Sequence, residues 1–595
     1  MNSWMTEMTG FRTARDAVRV APAGWSGRAR AVLVAVGWGL AAAGGMAGTL
    51  QIEGRWRDDG TLQVSYTPPD GVRTLELNHT PEVKAWWGRQ VMAADSCTVL
   101  EGLTLRLAAG CRRATLRVQP QLLAANAQYE PAQPVGDPEA PVGVVAFLGA
   151  YAAPVAGHGL RWVWHPPQGG EVLWQGRWAK QRLTQWFSAK EVDAALAQRQ
   201  HGGAWLSAVG AHQMAYLGRA PSQSFGAGRL VWDPRLDADR RTLILDTLTR
   251  TTARLTRAYG VGMAGPAGVV VALSDRPGYH GDTDGGRMMR LRLAQTARDG
   301  DAGWLRGFVS HEVVHWWNAG RYTTDHTEPW LHEGHAEWMA LLLGLEQGWM
   351  DLATVQRAAQ GAVQACVDLA GGLTLAQMAA NRNQGIYTCG VALLVLAQAH
   401  RRAAEPGVSL VEQLASLHRL DPHLSRRSLV AWGGAQALAP WWLGPEQALG
   451  PPLRHHLEQL GLFNRQTVAE AALSPRDSQQ WLGALMAADC QGVSFYSFDH
   501  EVQLAPNGTM RCVSWPLEGA LRRIEGVPVF GRLASAHEAL VRACATGPTY
   551  RLGFGDGSER KATCPATLPP APDLVRWAVV PDAWRRLLSL APAAP

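Results

Sequence analysis

Lysine is almost missing from this chain of 595 residues: only Lys84, Lys180, Lys190 and Lys561 occur, so arginine carries nearly all of the net charge of +6. No run of basic residues forms, which excludes the clustered cationic footprint of a nucleic-acid binder. Charged residues are scarce at 18% against 47% hydrophobic, and that balance excludes a chain kept disordered by charge. Long apolar runs are lacking too. The best candidate, Ala31 to Leu40, is too short and too rich in glycine for a stable membrane span. Internal repeats and extended low-complexity segments are absent, which excludes repeat architectures. Cysteine is absent before Cys97.

What is present divides the chain into about three domains by length. Arg28 and Arg30 precede the Ala31–Leu40 run, and small residues follow through Ala47. A basic region, a short apolar core and a small-residue exit make residues 1–47 a leader and signal peptide, with an uncleaved anchor as the alternative. A periplasmic or secreted location follows. The eight cysteines (97, 111, 366, 389, 490, 512, 544 and 564) all lie beyond that leader, and an even count in an oxidising compartment implies disulfides. The local choice joins Cys97 to Cys111, Cys366 to Cys389, Cys490 to Cys512, and Cys544 to Cys564.

Periodicity gives a coarse layout. Alternation at Leu62/Val64/Tyr66, Leu103/Leu105/Leu107 and Leu116/Val118 predicts an N-terminal β-rich domain over residues 48–235, with Pro131 to Pro141 as a loop or linker within it. From Asp237 the signal turns helical, starting with Arg241 to Tyr259, and residues 236–475 form a mostly helical domain with a small sheet. Strand signals return near the C-terminus. The fold class is multidomain α+β.

The chemistry concentrates in His311-Glu312-Val313-Val314-His315 and in Trp330-Leu331-His332-Glu333-Gly334-His335-Ala336-Glu337. Histidines four apart share a helix face and can present two imidazoles to one ion. Glu312 then sits beside that ion as a base for water, and Glu333 on the next helix is placed as a third ligand. Trp304, Phe308, His311 and His315 form one stripe, so the histidines lie on a largely apolar face where something must satisfy them. Asn318, His332, His335 and Glu337 are candidates to orient the ligands, with surface exposure the plain reading of His335. No second cluster of Cys and His has metal spacing.

These segments resemble the gluzincin metallopeptidases, of the aminopeptidase N-like and glycyl aminopeptidase-like groups. His315-Trp316-Trp317-Asn318 is similar to the second group, and Trp330-Leu331-His332-Glu333-Gly334 to the W-L-N-E-G of the first, with His332 in place of Asn. The resemblance implies a thermolysin-like catalytic domain, Zn2+ held by His311, His315 and Glu333, and Glu312 as catalytic base. Tyr387-Thr388-Cys389-Gly390 is similar to the Y-x-K-G segment, which implies that the Tyr387 hydroxyl stabilises the oxyanion; Cys389 stands where Lys is usual.

The G-x-M-E-N segment, whose Glu grips a free amino terminus in the aminopeptidase N-like group, has no acidic counterpart in Gly285-Gly286-Arg287-Met288-Met289-Arg290-Leu291-Arg292-Leu293. That stretch instead predicts an edge strand for an extended peptide, with Arg287, Arg290 and Arg292 suited to an acidic substrate or to a solvated face. Leu521-Arg522-Arg523-Ile524-Glu525-Gly526-Val527-Pro528-Val529 resembles the I-x-x-I-N-G-x-P-V of PDZ domains, which implies a small PDZ-like α/β domain over 485–595.

The sequence thus reads as a secreted zinc metallopeptidase acting on peptides or proteins, an aminopeptidase or related exopeptidase. No nucleic-acid partner and no stable membrane span are expected, and the oligomeric state is open. A catalytically silent peptide-binding protein and a zinc hydrolase of a non-peptide bond are the rivals.

Overall fold

The computed structural model describes residues 48–588 with internal breaks, among them 79–86, 122–129, 201–207, 275–278, 296–301, 378–384, 434–447 and 505–510. The leader proposed for residues 1–47 lies outside the described residues.

Three hydrophobic cores organise the described residues. The first is β-rich. A six-stranded sheet runs in the order 183–187, 159–165, 49–56, 62–67, 114–118, 91–93, and a five-stranded sheet in the order 177–179, 171–174, 214–218, 141–147, 132–136. Both sheets place alternate residues in one core that includes Leu62, Val64, Tyr66, Trp162, Trp164 and Trp174. The proline-rich stretch is not a loop. Ala132–Gly136 is a buried strand, and it accommodates Pro134, which has no N–H to donate, because it lies at the edge of its sheet.

The second core is built on a five-stranded sheet: β1 (Ser222–Phe225), β2 (Gly228–Trp232), β3 (Gly268–Ser274), β4 (His280–Asp284) and β5 (Met288–Ala294), in the order β1-β2-β3-β5-β4. The first two strands, which alternation alone groups with the β-rich region, run into this sheet, β2 pairing parallel to β3. Strand β3 is buried along its whole length. Its Val269, Val271 and Leu273 face the helices, while Val270 and Ala272 enter the β-rich core. A period of two on a strand covered on both faces therefore joins the two domains.

Strand β5 is not the edge that its sequence suggested. It lies between β3 and β4, and β4 is the antiparallel edge. Arg290 and Arg292 on β5 are consequently 2% and 3% exposed and are ion-paired inside the protein, so they do not meet substrate as exposed cations.

Helices α1 (Ala238–Tyr259) and α2 (Ala302–His315) pack on the sheet, and α3 (Pro329–Glu346), α4 (Leu352–Ala370), α5 (Gly385–Ala404) and α6 (Leu410–Leu420) pack against them and one another. Asp237 caps α1 by accepting from the Arg240 N–H at 2.7 Å. Val391 to Leu396 of α5 are fully buried.

The third core runs from Leu473 to Ala562 around strands 495–497, 502–504, 519–524, 549–554 and 559–563 and the helix Leu533–Thr546. It is set into the helical domain. Phe463–Thr467, before it, pairs antiparallel with Val575–Val579, after it. Trp577, Trp584, Leu587 and Leu588 then return to the second core, so residues 577–588 belong with the helices rather than with the small third module. All four local disulfides are formed.

Candidate metal centre

Helix α2 carries His311 and His315 on one face, as i,i+4 spacing requires, and α3 brings Glu333 across to them. His311 Nε2 and His315 Nε2 are 3.2 Å apart. Glu333 Oε2 is 3.4 Å from the first and 3.5 Å from the second. Three corners of a tetrahedron around an ion bonded at about 2.05 Å are separated by roughly 3.3 Å. The spacing of these three atoms fits that figure.

The far side of each imidazole fixes which nitrogen is free. His311 Nδ1 donates to Glu337 Oε2 at 3.0 Å. His315 Nδ1 donates to Asn318 Oδ1 at 3.0 Å, and the Asn318 amide is oriented by donating to the His332 carbonyl at 2.9 Å. Both Nε2 atoms therefore present lone pairs to each other and to a carboxylate, an arrangement that repels itself unless a cation sits among them. Two imidazoles and one carboxylate are the donor set of a catalytic zinc site. The residues fit the ion.

Asn318 reaches back because the helix widens after His315. Trp316–Arg321 is a π-helical turn, the kind of local insertion that re-aims side chains at functional sites. Of the four candidates for orienting roles, Asn318 and Glu337 take them. His332 instead stacks on His315, ring centroids 4.3 Å apart. His335 is not at the surface: it is fully buried, edge-on to His418 at 4.6 Å.

Glu312 is 3% exposed and lies against β4, where a Cβ on Gly281 would overlap its carboxylate. Glycine lets the strand pass this close without displacing that carboxylate. Burial pushes the Glu312 carboxyl up to about 7, His311 and His315 opposing and Glu333 and Asp282 adding to the rise. Burial would likewise raise Glu333, but the neighbouring imidazoles hold it well below the usual carboxylate range. The two acids are thus driven in opposite directions, one toward holding a proton and one toward staying ionised.

Tyr387, near the start of α5, completes the group. Its ring lies 6.1 Å from that of His311, and burial, then the charges of Glu333, Glu312 and Glu337, raise its hydroxyl well above the usual phenol value, so it stays a donor. What brings it there is a helix crossing without side chains. A Cβ on Gly334 of α3 would overlap the backbone of Gly390 on α5, and the reverse holds too. Glu333, adjacent to Gly334, and Tyr387, three residues before Gly390, are thereby drawn together. The Cys366–Cys389 bridge ties α4 to α5 beside the same crossing.

Edge strand β4 escaped the sequence reading, which placed the edge at β5. The Gly285-Gly286 dipeptide that follows Asp284 is a hairpin signal that separates the two strands. It also hid Asp282, the acid close enough to Glu312 to influence it.

No family model matches the chain, and no curated protein matches it. Among solved structures, an aminopeptidase N family protein from Idiomarina loihiensis aligns over 91% of this chain and 99% of its own, with a TM-score of 0.55 and 11% identity. The chain shares its fold with that aminopeptidase N family protein. An M1 zinc metallopeptidase from Deinococcus radiodurans aligns over 70% of this chain and 94% of its own, at a TM-score of 0.35 and 14% identity, a looser likeness on which nothing rests. Among the described residues, no helix is long and apolar enough to cross a membrane.

Proposed function

We propose that the chain is a zinc metallopeptidase, secreted or periplasmic, that hydrolyses peptide bonds. His311, His315 and Glu333 would hold the ion, which when bound supplies the Lewis acidity that makes water nucleophilic near neutral pH. Glu312, placed between edge strand and ligands and tuned upward by burial, takes the proton of the attacking water and delivers it to the leaving amine. Tyr387 donates its hydroxyl hydrogen bond to the oxyanion. Glu337 and Asn318 keep both imidazoles in the tautomer that leaves Nε2 free. Strand β4, which pairs with no further strand among the described residues, offers that edge to an extended peptide.

The observation that carries this reading is the three-atom triangle of 3.2, 3.4 and 3.5 Å lying beside a buried acid. The four disulfides support an oxidising compartment. The third module we read as PDZ-like, on its motif and its helix between strands. The aminopeptidase form implied by the resemblance needs an acid at the cleft to grip an amino terminus; the stretch 285–293 has none, while edge strand β4 carries Asp282, ion-paired to Arg290.

The test is zinc content and peptide hydrolysis of the purified chain beside Glu312→Gln. One zinc per chain in both, with a loss of about 10²–10⁴-fold in kcat in the variant, is the expected result. A chain that binds no zinc would refute the reading.

A further inference from the structure

Resting on the peptidase reading, we propose that the Cys366–Cys389 disulfide is a positioning element for Tyr387. It holds the first turns of α5 at the rotation that aims the phenol at the centre, so its loss slows turnover and leaves the metal bound.

Tyr387 is the third residue of α5, which starts at Gly385. The first turn of a helix has N–H groups with no partner inside the helix, and helix ends fray. A donor that must meet a developing oxyanion tolerates little of that, because a misplacement of about 1 Å can cost on the order of 10²-fold in rate. The position of this hydroxyl beside Glu333 therefore has to be enforced from outside the turn.

Successive residues of a helix are about 100° apart around its axis. Gly390, three positions after Tyr387, is then about 60° from it, on the side where α5 meets α3. Cys389, two positions after Tyr387, lies about 200° round, on nearly the opposite side, where the bridge reaches α4. The glycine crossing sets how closely α5 approaches α3, but it is a non-bonded contact and resists rolling only weakly. The disulfide pins the back of the same turn, and any roll would have to carry Cys366 with it. Crossing and bridge together fix the direction of the phenol.

The surroundings agree with a brace. Ile386, Thr388 and Cys389 are 9%, 0% and 0% exposed and Cys366 is 0% exposed, so the neighbours of half-buried Tyr387 are sunk in the helical core. A bridge buried this deeply is withheld from thiols in solution, which makes it a fixed support rather than a switch. The other three disulfides lie in the β-rich domain and in the third module. The proposed ligands of the ion belong to α2 and α3, which the Cys366–Cys389 bridge does not join.

The test uses the zinc-loaded full chain on a peptide that it hydrolyses, beside Cys366→Ala/Cys389→Ala and, as a control, Cys97→Ala/Cys111→Ala. For the first pair the expected result is a kcat lower by about tenfold or more, with KM within about twofold and zinc retained. The control pair keeps kcat within about twofold. Tyr387→Phe is then added to the native chain and to the first pair. The factor it costs is expected to shrink by about threefold or more without the bridge, because a tyrosine already misplaced has less to lose. Cys366→Val/Cys389→Ala, which refills the space of the sulfurs, serves if the alanine pair does not fold. An unchanged kcat, or an equal cost of Tyr387→Phe with and without the bridge, would overturn the proposal. Loss of zinc, or failure of both pairs to fold, would overturn it as well, since the bridge would then support the whole domain rather than the tyrosine. A native chain that cuts no peptide would instead bring down the peptidase reading, a result seen before any cysteine is changed.

Discussion

Glu337 touches neither the space for the ion nor any candidate for substrate, yet it decides which nitrogen of His311 is free. Glu337→Gln keeps an acceptor but removes the charge that favours Nδ1 as donor. The expected outcome is zinc affinity weaker by about 10–100-fold with the fold intact, read by competition against a chelator. His418 makes a different point. Burial pushes its imidazole down to about 3, with Asp421 opposing. The native state therefore refuses a proton that the unfolded chain accepts below about 6.5, and stability falls as pH drops from there toward 3, by up to about 1.4 kcal/mol per pH unit for this group. Thermal melts over that range should show the decline, and His418→Phe should flatten it. At this scale the sequence was most legible where residues carry chemistry at fixed spacing: His311, Glu312, His315, Glu333 and Tyr387 come together from three helices. Asp282 was invisible because its position depends on which strand lies at the edge.

Helices α3 and α5 meet through glycines, and the consequence reaches the centre. Gly390→Ala would insert a Cβ against the backbone at Trp330 and Gly334. Overpacking of this kind costs about 1–3 kcal/mol, and here it would also move Tyr387 away from Glu333. A lower melting temperature together with reduced kcat at full zinc occupancy is the expected outcome, measured by calorimetry and steady-state kinetics. The helices themselves were legible from periodicity and from the buried run Val391–Leu396. Strand pairing was not. A strand of five residues such as His280–Asp284 carries too little alternation to fix its neighbours, and Pro134 disguised an edge strand as a loop.

For the molecule as a whole, an ion shared by α2 and α3 acts as a ligand of the folded state alone. Chelation should lower the melting temperature of the helical domain, and added zinc should restore it in proportion to the logarithm of its free concentration. Scanning calorimetry with and without chelator checks this. The alternation of β-rich, helical and β-rich regions was readable from composition and period. The return of the chain end was not, because Trp584 reaches its partner Trp338, ring centroids 6.4 Å apart, across a whole intervening module. That module leaves and re-enters through one antiparallel pair, Phe463–Thr467 with Val575–Val579, so its two ends emerge side by side. Such a socket lets evolution or an engineer excise or exchange the module as a cassette, while Trp584, on the helix Pro581–Leu588 beyond it, stays in place.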